Sequence, residues 1–521
     1  MPPSDFTFLV VKMIKWRKYQ REVYETVIDN LDKYENFIVE APTGFGKSIV
    51  NYKVARHFSS VWYATPQLVL LDQLARDKMI KELGGMVIIK GKQNYKCLLK
   101  NTTIDVAPCI DKNFECPVKH RCTWTLVKHR ALLSPITGLS FAMLLLTAGL
   151  EGWGRRDLLI VDEADDIEGW AVDQLGTLRF RILGHPKDIY EVVKWAKVRR
   201  MKVKQDLYRL ESKGFLTATD AIRLRELKEL DRKLEFFLED AEENPENWTY
   251  RLRGRIVELK VLNAGYILRK FLWWRGQKRL ISSATIIDPK KFAKYTGLRG
   301  KTLYIKVPHV IPPERRPVIY RPIAKMTKDE RDARVYREVA QAIEEIAEHH
   351  KGQNGVIHAH SYEIAREVAR RLRLEGFKTI IHTSEDRNRR FEQFLRSKNA
   401  VFIAVGFSRG IDLKYDLARW QVITKIPYPD QSDIRVWELW VKRKQWAWAR
   451  YQAIKTLVQT VGRIVRAPDD YGVTYILDKS LEGLLKYRKE IPDWFLEALK
   501  REDVLPEKDL LDVLDKVKNG S

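Results

Sequence analysis

The segment Val39-Glu40-Ala41-Pro42-Thr43-Gly44-Phe45-Gly46-Lys47-Ser48 narrows the possible folds of this chain more than any other. It opens with strand-forming residues, turns at two glycines and runs into Ile49, Val50 and Val54 at helical spacing. A strand, a glycine-rich loop and a helix in that order cradle phosphate. Gly44 and Gly46 let backbone N–H groups converge on phosphate oxygens, Thr43 sits in the same loop, and the helix N-terminus adds positive potential. Lys47 then reaches the β- and γ-phosphates, and Ser48 is placed to hold Mg2+. Ala41 stands where the strict pattern has its first glycine. A second apolar run, Leu158-Leu159-Ile160-Val161, reads as a buried parallel strand and delivers Asp162-Glu163-Ala164-Asp165 at its carboxyl end. Ligands bind at that end of open parallel sheets. Asp162 is expected to hold the metal through water, and Glu163 to orient or deprotonate an attacking water. Acids also suit a helix N-terminus for dipole reasons alone, so the pairing with the loop carries the functional reading.

All four cysteines, Cys97, Cys109, Cys116 and Cys122, fall between these two motifs, with eleven, six and five residues separating neighbours. Scattered buried cysteines act as small apolar residues, whereas four in one segment with none elsewhere read as ligands of a tetrahedral site. The spacing lacks the tight C-x2-C pairs of common zinc modules and leans toward an iron–sulfur cluster over zinc. Two disulfides are the other alternative.

The 521 residues suffice for about three or four domains. Lys and Arg number 94 against 69 Asp and Glu, a net charge of +25. An excess of one sign on that scale points to a polyanionic partner, with nucleic acid the first candidate. No apolar run approaches the roughly 18 residues of a membrane span. The Phe6–Ile14 stretch is too short, and too soon met by Lys12 and Lys15, for a secretion signal. No membrane association and a cytoplasmic location are therefore expected.

The second half repeats the strand pattern. Residues 355–361 read as a strand end, and residues 401–405 as another strand, followed by Gly406-Phe407-Ser408-Arg409-Gly410-Ile411-Asp412. Ala453 to Val465 reads as a helix with Gln459, Gly462, Arg463 and Arg466 on or near one face. A polar row on an apolar helix suits a face turned toward triphosphate. Arg463 and Arg466 then act as arginine fingers, unless they are surface ion-pair residues.

The ordered series Arg17/Gln20, Ala41–Ser48, Tyr63-Ala64-Thr65-Pro66-Gln67, Asp162–Asp165, Ser282-Ser283-Ala284-Thr285, His360-Ser361-Tyr362, Gly406–Asp412 and Gln459–Arg466 resembles superfamily 2 helicases. Within them, Lys90–Cys97 and Asp470-Tyr471-Gly472 resemble the XPD/DinG branch of iron–sulfur DNA helicases. The resemblance implies an α/β chain with two RecA-like parallel-sheet motor domains and ATP in the cleft. By the same likeness, Arg17, Gln20, Gly410 and Asp412 join the phosphate loop in nucleotide binding, and the cysteines hold a 4Fe–4S cluster that acts as a wedge near the point of strand separation. Such proteins move 5′ to 3′ on single-stranded DNA. The expected partner is single-stranded, forked or tailed DNA, met by a monomer within a repair or replication complex. Thr65, Gln67, Ser361 and Tyr362 follow strands that should end at the groove, and are expected to contact the strand backbone. The literal Asp-Glu-Ala-Asp also admits an RNA helicase, and an ATP-switched remodelling subunit is a third reading.

Three departures stand out: Asp165 replaces the branch's usual His, Asp478-Lys479-Ser480 lacks the usual arginine, and the cysteine spacing is compressed. The expected layout puts the first motor domain at 1–90, 136–172 and 251–305, the cluster domain at 91–135, an arch-like helical insertion at 173–250, and the second motor domain at 306–521. In the arch, helices over 188–213 and 218–241 flank Gly214, with Leu227, Leu230, Leu234 and Phe237 at coiled-coil spacing. The first helix carries Lys194, Lys197, Arg199, Arg200, Lys202 and Lys204, read either as phosphate-attracting or as a solvated face. In the aromatic tract from Trp437 to Tyr451, burial is favoured over base stacking.

Overall fold

A computed structural model describes residues 16–111, 114–213, 216–407 and 413–502, together with 512, 513 and 515. The Phe6–Ile14 stretch, Gly214, Gly410 and Asp412 lie outside the described residues. The chain divides into two compact units. The first comprises residues 1–40, 46–306 and 431–444, and the second residues 41–45, 307–430 and 445–521.

The first unit is built on a seven-stranded, all-parallel sheet in the spatial order Thr302–Lys306, Asn36–Glu40, Gly276–Ser283, Arg156–Asp162, Val61–Thr65, Ile136–Ser140 and Val87–Ile88. Its central strands carry continuous apolar runs, as strands of a sheet covered on both faces do. Leu159, Ile160, Val161, Ile38 and Tyr63 are accordingly buried. The register pairs Asp162 with Ser282 and Glu40 with Ser283, so the carboxyl ends of adjacent strands present their polar residues side by side.

The insertion between Asp165 and Ser282 carries the expected helical pair, Ile189–Glu211 and Ala218–Glu243. Asp188 caps the first helix, and Thr217 with Asp220 forms a capping box on the second. Leu227, Leu234 and Phe237 are buried as their spacing demands. Two of the basic residues of the first helix turn to the second: Lys197 pairs with Glu242 at 2.6 Å, and Arg200 with Asp231 at 3.0 Å and also with Glu235. A three-stranded antiparallel sheet, in the order Thr177–Arg181, Ile256–Val261 and Trp248–Arg253, completes this region. The sequence reading missed it, although each strand alternates apolar with charged residues. Buried Asp240 braces the last strand by accepting from the Trp248 indole at 2.8 Å and from the Asn247 amide at 3.0 Å.

The second unit repeats the scheme with seven parallel strands in the order Lys378–Ile381, Ala400–Ala404, Gly355–His358, Trp420–Ile423, Val473–Asp478, Val318–Ala324 and Leu499–Arg501. The last of these is a three-residue edge strand. Residues 431–444, assigned by sequence to the second motor domain, pack with the first unit. Trp448 and Tyr451 are buried, whereas Trp437 is exposed. The helix expected over Ala453–Val465 runs from Trp446 to Val461. Gly462 caps it, because Ile464 and Val465 leave the helix to enter the core, so Arg463 and Arg466 stand in the turn beyond the helix and not on its face.

Packing at the centre of this sheet leaves no room for one methyl group. A Cβ on Gly355 would fall 2.1 Å from the indole of fully buried Trp420. Gly355→Ala is expected to destabilise the second unit by about 1–3 kcal/mol, read as a lower midpoint in thermal denaturation.

Candidate nucleotide-binding site

The loop between the strand Asn36–Glu40 and the helix Lys47–Ala55 turns as its glycines require: Gly44 has φ +82° and Gly46 φ +85°. Side chains are strained in that region and would also collide. A Cβ on Gly46 would lie 2.6 Å from Gln20 Nε2, and one on Gly44 would lie 2.5 Å from the Arg466 carbonyl oxygen, both Gly44 and Arg466 belonging to the second unit. Thr43 lies in the same short segment as Gly44. Gln20 is itself fixed, accepting from Arg17 N at 2.9 Å and donating to the Gly46 carbonyl at 3.4 Å.

Within the first unit, Arg17, Gln20, Gly46, Ser48, Asp162 and Glu163 line one cavity of about 370 Å3. Lys47, buried beside it, places its ammonium 3.4 Å from Glu163 Oε1. Glu163 adopts the left-handed conformation, φ +54°, directly after the strand that carries Asp162. A non-glycine residue held in that conformation at the end of a central strand is stored strain of the kind that marks functional sites.

Asp162 is the hub. Its Oδ2 accepts from Tyr63 OH at 2.7 Å and from Ser48 Oγ at 3.4 Å, while Oδ1 accepts from Ser282 Oγ at 2.9 Å and from Glu163 N at 3.0 Å. Asn51 donates to Ser282 Oγ at 2.7 Å from the helix behind. Burial first, then the Asp162 charge, push the Tyr63 phenol well above its ordinary pKa, so it keeps its proton and donates it to Asp162 while accepting from Asn51 at 3.5 Å. Tyr63 and Asn51 were missed as site residues. Their signal was positional: Tyr63 stands two residues before Thr65, on the same side of its strand, and Asn51 lies one helical turn after Lys47. Asp165 is buried and accepts from Ser283 Oγ at 2.6 Å, which ties the acidic motif to the Ser-Ser-Ala-Thr strand end.

In the second unit, Gln459 lies on the Trp446–Val461 helix, with Arg463 and Arg466 just past it. Arg463 bears on His358, which burial pushes down to about 4 against a hydrogen bond with Gln421. The turn holding Arg466 is anchored by Asp470, fully buried, whose carboxylate accepts from the backbone N–H of Arg466 at 3.2 Å, Tyr415 at 3.1 Å and Tyr471 at 2.9 Å. Arg419 Nη1 completes the cage at 2.9 Å.

The residues expected to meet the nucleic-acid strand have local roles as well. Buried Thr65 donates its hydroxyl to the Gln67 carbonyl at 3.1 Å, and Gln67 precedes the helix Leu68–Arg76. Ser361 caps the helix Tyr362–Arg371 by accepting from Ile364 N at 3.1 Å, and Tyr362 packs edge-on against His382.

The four cysteines lie on short turns, each partly buried. Among the described residues, no three cysteine, histidine or carboxylate side chains converge to metal-binding distance. The thiols are nonetheless within electrostatic reach of one another: burial pushes the Cys109 thiol up, and Cys97, Cys116 and Cys122 add to that rise while Lys92 opposes it. At Cys122 burial is outweighed by hydrogen bonds from the Thr125 side chain and the Thr125 and Trp124 backbone, which hold the thiol below its usual range. Leu99 N donates to Cys97 Sγ at 3.4 Å. Four soft sulfur donors with N–H groups and a lysine around them match the chemistry of a thiolate-ligated cluster.

A family profile described as Helicase C-terminal domain matches residues 343–498, and one described as Type III restriction enzyme, res subunit, matches residues 13–164. A protein of Anopheles gambiae named Regulator of telomere elongation helicase 1 homolog is 26% identical over 128 residues, which cover 21% of this chain and 12% of that one. Its human counterpart is 28% identical over 119 residues, 19% of this chain and 9% of that one. The chain thus spans about a tenth of the length of these relatives. Among solved structures, one named XPD_Helicase superposes with a TM-score of 0.63 at 16% identity, covering 94% of this chain and all 100% of that one. The S. tokodaii Xpd4 structure gives 0.54 at 15% identity, covering 93% and 100%. Both likenesses establish the fold, a pair of RecA-like domains.

The Asp162 hub generates a direct test. Tyr63→Phe removes its shortest hydrogen bond with little change in packing, and is expected to raise the Mg2+ concentration for half-maximal ATP hydrolysis roughly tenfold. Unchanged Mg2+ demand would leave the hydroxyl a packing role only.

Proposed function

We propose that the chain is an ATP-hydrolysing helicase of the XPD/DinG-like branch of superfamily 2, and that it acts on DNA, moving 5′ to 3′ along a single strand. The two profile matches, the helicase-named relatives and the shared fold support this reading. The observation that carries the nucleotide chemistry is the convergence of Ser48, Asp162 and Glu163 on one cavity, with Lys47 paired to Glu163 beside it. Lys47 binds the β- and γ-phosphates, Ser48 and Asp162 hold Mg2+, and Glu163 orients the attacking water. Mg2+ when bound neutralises charge that develops on the phosphoryl oxygens. The ion pair holds the Lys47 ammonium against Glu163 at the cavity wall, and binding of a triphosphate exchanges that carboxylate for phosphate. Thr43, Gly44, Gly46, Arg17 and Gln20 complete the nucleotide-binding set, with Gly410 and Asp412 assigned to it by resemblance. Gln459, Arg463 and Arg466 are assigned to stabilising the γ-phosphoryl charge. Thr65, Gln67, Ser361 and Tyr362 are assigned to the strand backbone.

The choice of DNA rests on the iron–sulfur branch signature, and the net charge of +25 supports a nucleic-acid partner. Cys97, Cys109, Cys116 and Cys122 would hold a 4Fe–4S cluster, whose contribution is to brace the insertion that carries it. Lys47→Ala and Glu163→Gln are each expected to lower nucleic-acid-stimulated ATP turnover by about a hundredfold or more. Turnover at the wild-type rate in either variant overturns the assignment. Stimulation by single-stranded RNA in place of DNA redirects the substrate, and unwinding of duplexes with only a 3′ tail reverses the polarity. Anaerobically prepared protein is expected to carry about four irons per chain, lost in Cys97→Ser. Stoichiometric zinc without iron overturns the cluster.

A further inference from the structure

The three-stranded sheet of the first unit has two unlike faces. Leu178, Phe180, Val257, Leu259, Val261 and Trp248 point inward and are buried. The opposite face is set by the register: Arg179 pairs across Glu258 to Arg251, Arg181 across Ile256 to Arg253, and Thr177 across Lys260 to Thr249. The middle strand thus carries one carboxylate, and the strands on either side of it carry two arginines each. Like charges so placed repel one another unless something neutralises them.

Glu258 does part of that work. It is buried, lies 2.5 Å from Arg179 Nη2 and 3.1 Å from Arg251 Nη2, and is held below the usual carboxylate range by those two guanidinium groups despite its burial. Lys260 is tied to Asp433. One carboxylate cannot balance four arginines. Arg253 reaches Glu258 only at 3.9 Å, Arg181 and Arg255 make no ion pair among the described residues, and the Arg179 and Arg253 side chains are 64% and 66% exposed. Along each strand the two arginine rows are about 7 Å apart, a spacing at which extended side chains can grip successive phosphates.

The sheet's edge strand, Trp248–Arg253, also forms one wall of an open cavity of about 1110 Å3. Arg251 belongs to both the face and the cavity. Tyr190 and Trp437, 61% and 51% exposed, line the cavity together with Lys442 and Arg443, which pair with Glu438 on the same wall at 3.2 and 3.0 Å. Large exposed aromatic rings beside cations are costly to leave in water and suit stacking on bases whose phosphates lie on the cations. An acidic protein surface would answer the arginines and leave the rings unexplained, and a paired duplex offers no unstacked base to enter the cavity.

We propose that this face is a binding site for single-stranded nucleic acid, its phosphates lying across Arg181, Arg253 and their neighbours and its bases stacking in the adjoining cavity on Tyr190 and Trp437. The site is separate from the residues assigned to ATP and to the strand backbone above, and it rests on the reading that the protein acts on nucleic acid.

The test uses the full chain and a fluorescein-labelled oligothymidylate, with anisotropy measured across a salt series. Arg181→Glu/Arg253→Glu/Arg255→Glu spares the two arginines that neutralise buried Glu258, so the sheet should remain folded. It is expected to weaken binding at least tenfold and to lower the slope of log affinity against log salt by about two. Tyr190→Ala is expected to weaken binding about fivefold with the salt slope unchanged. ATP turnover without nucleic acid should stay at the wild-type rate in both. Wild-type affinity and slope in the triple variant overturn the proposal, as does loss of duplex binding with single-strand binding intact. Failure of the wild-type protein to bind any oligonucleotide would instead sink the functional reading beneath it.

Discussion

The candidate nucleotide site is organised around one carboxylate held from several sides. Asp162 sits at the end of a central strand and gathers hydrogen bonds from Tyr63 on the neighbouring strand on one side, Ser282 on the other, and Ser48 at the start of the phosphate-loop helix. Donors from three separate elements leave it little rotational freedom, and hydrogen bonds to an ionised acceptor are the strong ones. The sheet register makes this possible, since Asp162 and Ser282 are exact cross-strand neighbours only because the strands Arg156–Asp162 and Gly276–Ser283 are parallel and in phase. A one-residue slip would turn both side chains to the opposite face.

The same pattern of a buried acid fixing its surroundings recurs away from the site. Asp240 holds the indole of Trp248, Glu258 gathers the arginines of the antiparallel sheet, and Asp470 cages the backbone before and after Arg466. Each carboxylate is fully or nearly fully buried, and each is met by several donors: the Asn244, Asn247 and Trp248 side chains at Asp240, Arg179 and Arg251 at Glu258, and three backbone N–H groups with Arg419 at Asp470. These buried acids organise the fold in a way that surface ion pairs, which stabilise little, do not.

Much of the fold was legible in the sequence, and for identifiable reasons. Continuous apolar runs such as Leu158–Val161 have no alternative in a chain of this kind but a buried parallel strand, and Gly44 and Gly46 mark a turn that other residues could not make. The helical pair was readable from Leu227, Leu234 and Phe237. What escaped was short or context-dependent. The antiparallel sheet hid because its strands are five or six residues long and rich in arginine, which suggested a solvated surface. The end of the Trp446–Val461 helix was overrun because Ile464 and Val465 continue an apolar pattern, and only tertiary packing shows that they leave the helix. Around the cavity, Lys47, Asp162 and Glu163 were singled out through motif, whereas Tyr63, although quoted within one, was given no role and Asn51 lies in none; their links to Asp162 and Ser282 were visible only once two strands and a helix were side by side.

The cage around Asp470 bears on how such chains can diverge. Its oxygens face three main-chain donors and a guanidinium, so the demand is for a pure acceptor at that position, whatever occupies the turn it secures. An amide of the same shape would set N–H against N–H, and a glutamate would need room that the buried pocket lacks. The Asp-Tyr-Gly signature therefore reads as scaffolding for the arginine-bearing turn: substitutions between Arg466 and Asp470 can accumulate while the acid behind them stays fixed.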